Sequence, residues 1–274
     1  MNYLATRDNL RLYYKDWGRG RPVILMHGWP LSADTFDDLG MAIAESGMRA
    51  IAYDRRGFGR SEQPWSGYDY DTLSDDLADV LAYAGSNQAT ILGFSMGGGE
   101  VARYMSRHAG AHVAQTVLIS SVVPYMLKDH TNPDGVDPSV FAEMDEGIRK
   151  DRAGFWAAFF KMFYAGSGAT APVSAEVIEW SRQVAMSASL RATLGCAEAF
   201  ATTDFRPDLA SFRVPTLLIH GTADQIVPIA SSSRKAVGLI PGSRLIEYEG
   251  GAHGLLASHS SQLVSDVLAF LRTA

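Results

Sequence analysis

Five residues, Gly93-Phe94-Ser95-Met96-Gly97, constrain this chain more than any other stretch. The apolar Ala89-Thr90-Ile91-Leu92 before them reads as a short buried strand. Gly98-Gly99-Glu100-Val101-Ala102-Arg103-Tyr104-Met105 after them reads as a helix. A chain that passes from strand to helix at one serine must turn sharply, and that serine must adopt a strained backbone. Glycines on both sides leave room for the turn. The arrangement presents a hydroxyl at the end of a strand, the geometry of a nucleophile elbow.

The rest of the chain supplies a sheet for that strand. Val23-Ile24-Leu25-Met26, Ala50-Ile51-Ala52-Tyr53, Thr90-Ile91-Leu92, Thr116-Val117-Leu118-Ile119 and Thr216-Leu217-Leu218-Ile219 are apolar runs with the character of buried parallel strands. Leu10-Arg11-Leu12-Tyr13-Tyr14 alternates and fits an antiparallel edge strand. Helical stretches are expected near residues 35–46, 71–84, 95–108, 231–239 and 260–271. This alternation implies an α/β fold: a mostly parallel central sheet with helices on both faces. The alternation stops between about Val122 and Arg213, where Phe141, Phe155, Trp156, Phe159, Phe160, Phe163, Tyr164 and Trp180 recur mostly at helical spacings. We read residues 1–121 and 214–274 as the core and 122–213 as an inserted helical cap. Most of these aromatics must pack the cap onto the core, and some should line a pocket beneath it.

Composition narrows the function. A length of 274 residues with 47% hydrophobic and 20% charged residues suits an ordinary globular chain. The net charge of −6 argues against a polyanion-binding surface, so no nucleic-acid partner is expected. The first residues, Met1-Asn2-Tyr3-Leu4-Ala5-Thr6-Arg7-Asp8, lack an apolar signal core. No run approaches about 18 apolar residues, so no membrane span is expected and a cytoplasmic location is the expectation. Cys196 is the only cysteine, which rules out an internal disulfide and is compatible with a reducing compartment. We read it as a buried packing thiol on a helix rather than a nucleophile.

A serine hydroxyl needs a base to take its proton, and the base needs a partner to hold its tautomer. In a sheet with a serine at such a turn the acid follows a late strand and the histidine comes last. Asp224 fits the acid: it lies just past Leu217-Leu218-Ile219-His220-Gly221 and before Gln225-Ile226-Val227-Pro228. Asp204 and Asp208 are rivals, but they precede that strand. His253 fits the base, in Gly250-Gly251-Ala252-His253-Gly254 after the strand Ser243-Arg244-Leu245-Ile246-Glu247-Tyr248. We read His259 as surface or capping, and His108, His112 and His130 as having no part in the chemistry. An oxyanion needs two preorganised N–H donors. Met96, after the serine, supplies one. Trp29, in His27-Gly28-Trp29-Pro30 after an early strand, is expected to supply the other and to wall the acyl site with its indole. His27 is read as a structural holder of that loop. Phe159, Phe163, Ile226 and Val227 are expected to complete a substrate pocket for compact acyl groups.

Competing motifs fail. Gly57-Phe58-Gly59-Arg60-Ser61 lacks the last glycine and the downstream acid of a dinucleotide loop. Gly97-Gly98-Gly99 lacks the lysine of a phosphate-binding loop. No His-Glu-x-x-His or Cys-x-x-Cys pattern suggests a metal. We infer no cofactor.

The chain resembles the cofactor-free bacterial haloperoxidases, also called perhydrolases or arylesterases, of the α/β-hydrolase fold. The resemblance rests on Tyr14-Lys15-Asp16-Trp17-Gly18, His27-Gly28-Trp29-Pro30, Tyr53-Asp54-Arg55-Arg56-Gly57-Phe58-Gly59-Arg60-Ser61 and Gly93 through Tyr104. It continues in Thr203-Asp204-Phe205-Arg206-Pro207-Asp208 and His220-Gly221 through Pro228. It covers nearly the whole chain. It implies a Ser95–Asp224–His253 triad, an oxyanion hole from Trp29 and Met96, and hydrolysis of small aryl and short-chain esters. It also implies conversion of carboxylic acids and hydrogen peroxide to peracids, which oxidise halide without haem or metal. A homo-oligomer follows too: a dimer, a trimer or a dimer of trimers. Pro30 restricts the residue before it, so the Trp29 carbonyl is expected to turn into the site and accept a hydrogen bond from peroxide. Two other readings stand beside this one: a lactonase or lactamase with the same triad, and a ligand receptor on a hydrolase scaffold.

Overall fold

Short apolar runs between turn residues become an eight-stranded sheet among the described residues, which are 2–167 and 173–273 of this computed structural model. The strands are β1 (Tyr3–Ala5), β2 (Arg11–Gly18), β3 (Pro22–Met26), β4 (Arg49–Tyr53), β5 (Ala89–Phe94), β6 (Val113–Ile119), β7 (Thr216–Gly221) and β8 (Arg244–Tyr248). Their order is β1-β2-β4-β3-β5-β6-β7-β8. β1 and β2 pair antiparallel, β2 pairs antiparallel with β4, and every pairing from β4 to β8 is parallel. Every residue of β3, β5 and β7 is buried, as expected for parallel strands covered on both faces. Each buried Ile or Leu there contributes about 1.5–3 kcal/mol.

The alternating stretch expected at the edge is β2, and it is not the edge. The short β1 pairs outside it, with Leu4 opposite Leu12. Three residues with one buried side chain carry too little alternation to be read as a strand.

The helices are α1 (Asp37–Glu45), α2 (Tyr70–Ala84), α3 (Met96–Arg107), α4 (Pro138–Phe163), α5 (Ala175–Ser187), α6 (Leu190–Thr202), α7 (Arg206–Leu209), α8 (Ser233–Leu239), α9 (Leu255–Ser258) and α10 (Ser260–Leu271). A single 3₁₀ turn, Ala33–Phe36, leads into α1. Local chemistry sets their ends. Asp69 caps α2 by accepting from the Thr72 N–H at 2.9 Å, and Gly85 ends it in the left-handed conformation. α1 packs with α10, and α2 with α3. This division follows from right-handed crossovers: the chain moves from β3 to β4 in one direction, then back past β3 to β5 and onward. The reversal makes a switch point, and ligands of open α/β sheets gather outside the strands' carboxyl ends there.

The chain leaves the sheet at Ile119 and returns at Thr216. Between these points lie α4 to α7 and two isolated bridges, Leu127–Val136 and Asp129–Asn132. α7 lies within the stretch read from sequence as the cap, yet it packs on α3, with Asp208 against Arg103 and Ser106. Residues 168–172 of that stretch lie outside the described residues. α4 is broken at Asp151, where φ is −154° and ψ 84°. Asp151 Oδ1 accepts the Gly154 N–H at 2.9 Å, capping the second half of the helix. The break lets both halves of α4 face the sheet's carboxyl end. Among the described residues no helix is long and apolar enough to cross a membrane.

Ser95 itself has φ 54° and ψ −116°. A Cβ on Gly93 would lie 2.3 Å from the Gly97 carbonyl oxygen, and one on Gly97 2.4 Å from the Met26 oxygen. Strand, turn and helix approach so closely that only glycine fits at both positions. Gly93→Ala is therefore expected to cost about 1–3 kcal/mol or more of stability, read as a lowered denaturation midpoint. An unchanged midpoint would contradict the packing argument.

Candidate active site

The strand ends bring together what the sequence separates. Ser95 follows β5, Asp224 follows β7 and His253 follows β8. His253 Nε2 lies 2.9 Å from Ser95 Oγ, and His253 Nδ1 lies 2.7 Å from Asp224 Oδ2. All three are buried. A neutral His253 held with its Nδ1–H toward Asp224 leaves Nε2 free to accept the serine proton. The rival carboxylates lie elsewhere: Asp204 pairs with Arg206, and Asp208 faces Arg103.

Asp224 is held from two sides. Its Oδ1 accepts the N–H groups of Ile226 at 2.9 Å and Val227 at 2.8 Å. Its Oδ2 faces His253 and, at 3.1 Å, Nε2 of His220. Burial alone would push this carboxyl up. The electrostatic attraction of the adjoining imidazole of His253 and hydrogen bonds from His220 and His253 outweigh it and hold Asp224 well below the ordinary carboxylate range. His220 is fixed in turn: Nε2 donates to the Val227 carbonyl at 2.8 Å, and Nδ1 lies 2.7 Å from Ser233 Oγ. Sequence reasoning gave His220 no role. The available signal was its spacing, four positions before Asp224 across a glycine-containing turn.

The histidine loop is clamped by its surroundings. The Ser120 hydroxyl donates to the His253 carbonyl at 3.2 Å, and the Ala223 N–H donates to the Gly251 carbonyl at 3.0 Å. Phe163 meets the His253 ring edge-on at 4.8 Å between centroids, and Phe94 lies against it at 5.3 Å. Phe163 was expected in the substrate pocket. It does not border the main cavity, because its ring is spent on walling the imidazole.

A buried ion pair links the segments that carry the two expected oxyanion donors, Trp29 and Met96. Met96 begins α3, so its N–H has no partner within the helix. Trp29 follows β3, across the switch point, and its peptide bond to Pro30 is cis. Arg55, after β4, pairs with Glu100 of α3, and its Nη2 donates to the His27 carbonyl at 2.7 Å. The Arg55 N–H donates to His27 Nε2 at 3.0 Å, so His27 Nδ1–H donates to the Gly28 carbonyl at 2.9 Å. Burial and the Arg55 charge keep His27 far below its usual range and neutral. His27 thus holds the loop. Tyr53 donates to Glu100 at 2.8 Å. Burial pushes the Glu100 carboxyl up, against the pull of Arg55. Burial also opposes the Arg55 charge, but Glu100 outweighs it and Arg55 stays protonated. Neither Arg55 nor Glu100 was singled out in the sequence, where they appear as two charges in separate motifs.

Above Ser95 lies a cavity of about 670 Å³. Trp29, Phe159, Ile226 and Val227 border it, as do Phe141 and Phe200. The Trp29 indole N–H donates to the Thr193 carbonyl at 2.9 Å, and its ring packs edge-on against Trp156, Phe159 and Phe200. The indole is therefore fixed beside the serine. The volume exceeds what a compact acyl group alone needs and falls in the range of sites for drug-sized molecules. Helical spacing explains the rest of the wall: Val140, Phe141 and Met144 come from the first half of α4, and Phe155, Ala158, Phe159 and Met162 from the second. Glu143 is the one charged residue among those lining it. Cys196 is fully buried in α6, and burial pushes its thiol up to about 12.

His259, His108, His112 and His130 lie apart from this site. His259 stands at the start of α10 against Tyr248, His108 pairs with Asp75, His112 contacts Asn87, and His130 is exposed. Among the described residues no group of three or more His, Cys, Asp or Glu side chains is placed to hold a metal ion.

Two outcomes follow from these electrostatics. The Asp224 carboxyl is depressed in the folded state, so its stabilisation is complete above its unfolded value of about 4. That stabilisation is lost as pH falls toward the folded value. Asp224→Asn should therefore flatten the acid-side decline of stability below about pH 4, measured by denaturation at several pH values; an equally steep decline would contradict it. Arg55→Leu leaves Glu100 buried without its ion-pair partner and should cost about 3–5 kcal/mol. The double variant Arg55→Leu/Glu100→Leu should recover part of that loss. Strict additivity in the double-mutant cycle would remove the coupling.

Comparison with known proteins places this geometry. Residues 21–260 match the family described as alpha/beta hydrolase fold. A non-heme chloroperoxidase of Streptomyces lividans is 42% identical over 277 residues, covering all of both chains. A bifunctional esterase/perhydrolase of Acinetobacter calcoaceticus is 40% identical over 280 residues, again covering all of both. The crystal structure of a bromoperoxidase from Bacillus anthracis superposes with a TM-score of 0.95 at 40% identity, covering 99% of this chain and 100% of that one. With a serine at the turn after β5 and full-length likeness to these proteins, the chain belongs to the non-heme haloperoxidase and perhydrolase branch of the α/β-hydrolase family.

Proposed function

We propose that this protein is a serine hydrolase that cleaves small aryl and short-chain carboxylic esters through an acyl-enzyme, and that it also makes peracids from hydrogen peroxide. The observation that carries this reading is the hydrogen-bonded line from Ser95 through His253 to Asp224 beneath a largely apolar cavity. Ser95 Oγ attacks the ester carbonyl while His253 Nε2 takes its proton. Asp224 holds the imidazole and stabilises the cation that forms. The oxyanion is received by the N–H groups of Met96 and Trp29, each donor being worth about 10²–10³ in rate. His253 then protonates the departing alcohol.

The acyl-enzyme is cleaved by water or by peroxide, which gives its proton to the same histidine. With peroxide, the new bond joins the acyl carbon to a peroxidic oxygen, and Ser95 regains its hydroxyl. A peracid leaves. The acyl group sits beside Trp29, and the aromatic faces of Phe141, Phe159 and Phe200 suit an aryl alcohol. Residues 122–213 act as the cap that supplies most of this wall. Support for the peroxide branch comes from relatives whose names are non-heme chloroperoxidase and esterase/perhydrolase.

Hydrolysis of p-nitrophenyl acetate tests the reading. Ser95→Ala should abolish it with folding intact, and Asp224→Asn should lower it by about 10⁴. The triple variant Ser95→Ala/Asp224→Asn/His253→Ala should be little worse than Ser95→Ala, because the three act as a unit. Near-parental turnover by Ser95→Ala would overturn the assignment. Acetate with peroxide should give peracetic acid only when Ser95 is present; its absence would leave a plain esterase.

A further inference from the structure

Three of the ten methionines in the chain, Met126, Met144 and Met162, border the cavity that also holds Ser95. They arrive from different places: Met126 from the segment after β6, Met144 and Met162 from the two halves of α4. Resting on the perhydrolase reading above, we propose that peracid formed at Ser95 oxidises these three thioethers, so that turnover with peroxide modifies the wall of its own pocket.

The chemistry balances without another reactant. The thioether sulfur attacks the terminal peroxidic oxygen, the O–O bond breaks, and an S–O bond forms. The peroxidic proton passes to the carboxylate oxygen. Sulfur is oxidised by two electrons, the peracid is reduced to its carboxylic acid, and methionine becomes the sulfoxide. No base and no ionisation is needed, unlike attack by a thiol. Peracids are much weaker acids than their parent carboxylic acids and are largely neutral near pH 7, so an apolar wall does not expel them. One molecule confined in about 670 Å³ has an effective concentration on the order of 1 M. Each new peracid therefore forms beside these sulfurs at a concentration that bulk solvent does not reach.

The same geometry says what is spared. Cys196 does not border the cavity, and burial keeps its thiol protonated. Met96 adjoins Ser95 in sequence, yet it is fully buried and outside the cavity lining. Met41, 54% exposed, and Met186, 37% exposed, lie outside the cavity, bracket Met162 at 44%, and report oxidation from bulk solvent. Sulfoxide at the wall turns an apolar, flexible side chain polar. The Ser95–His253–Asp224 line is untouched, so the ester KM should rise more than kcat falls.

Peptide mass mapping of the full chain during turnover tests this. With acetate and peroxide, the peptides carrying Met126, Met144 and Met162 should gain one oxygen atom several-fold faster than those carrying Met41 and Met186. With peroxide alone, or in Ser95→Ala with acetate and peroxide, that excess should vanish. Peracetic acid added to Ser95→Ala, at the bulk level the parent reaches, should not restore the excess. Methionine sulfoxide reductase should return the KM toward its starting value, and Met126→Leu/Met144→Leu/Met162→Leu should keep its own KM constant during turnover. A parallel assay of bulk peracid separates the failures. Without Ser95-dependent peracid, the perhydrolase reading falls and this inference with it. Peracid with cavity methionines oxidised no faster than Met41 overturns the inference alone.

Discussion

The buried contact between Arg55 and Glu100 ties together the parts on which the site depends. Arg55 stands at the end of β4, Glu100 lies in the first turns of α3, and the same guanidinium holds the His27 carbonyl at the end of β3. Trp29 and Met96, the two expected oxyanion donors, lie on opposite sides of that clamp. Neither loop nor helix could drift without breaking a charge-assisted bond in a dry interior. A buried ion pair is a weak source of net stability, since both ions lose their water. Its value here is geometric: it ties the ends of β3 and β4 to α3, elements that are far apart in the sequence.

A second constraint acts on the other side of the serine. Ser95 sits at positive φ between a strand and a helix that approach within the reach of a single methyl group. Such strain persists only where the surroundings over-determine it. Here β5 is buried along its whole length, and the Ser95 N–H donates to the Ile119 carbonyl of β6 at 2.8 Å. The imidazole is positioned as firmly, between Phe94, Phe163 and the bonds of the acid loop. Ser95 and His253 are therefore placed by the groups packed around them. The cavity above them is built differently, from helix faces and flexible methionines.

The split between what was legible and what was not follows interaction range. The parallel strands were readable because full burial leaves uninterrupted apolar runs. The turn at Ser95 was readable because its glycines flank the serine directly. Asp224 and His253 were readable from their places after late strands. β1 was missed because three residues hold no period, and so the alternating β2 was placed at the edge. Phe163 was assigned to the pocket because its helical spacing from Phe159 is right. Spacing cannot say that one ring borders a cavity while the next covers an imidazole. The break at Asp151 was likewise hidden, since aromatic spacings continue on both sides of it.

The linear chain carried the alternation of strand and helix, the serine with its turn, and the order of the expected acid and base. Each is written in neighbours a few positions apart, where steric limits and hydrophobic period act directly. Folding was required for the partners of those residues. His220 became a second contact for Asp224, Arg55 found Glu100, and two halves of one broken helix closed a cavity around three methionines. These pairings join positions from four to dozens of residues apart, across different strands and helices. Distance along the chain says nothing about distance in space until the sheet sets its strand order, because only then does burial decide which charges and rings must face one another.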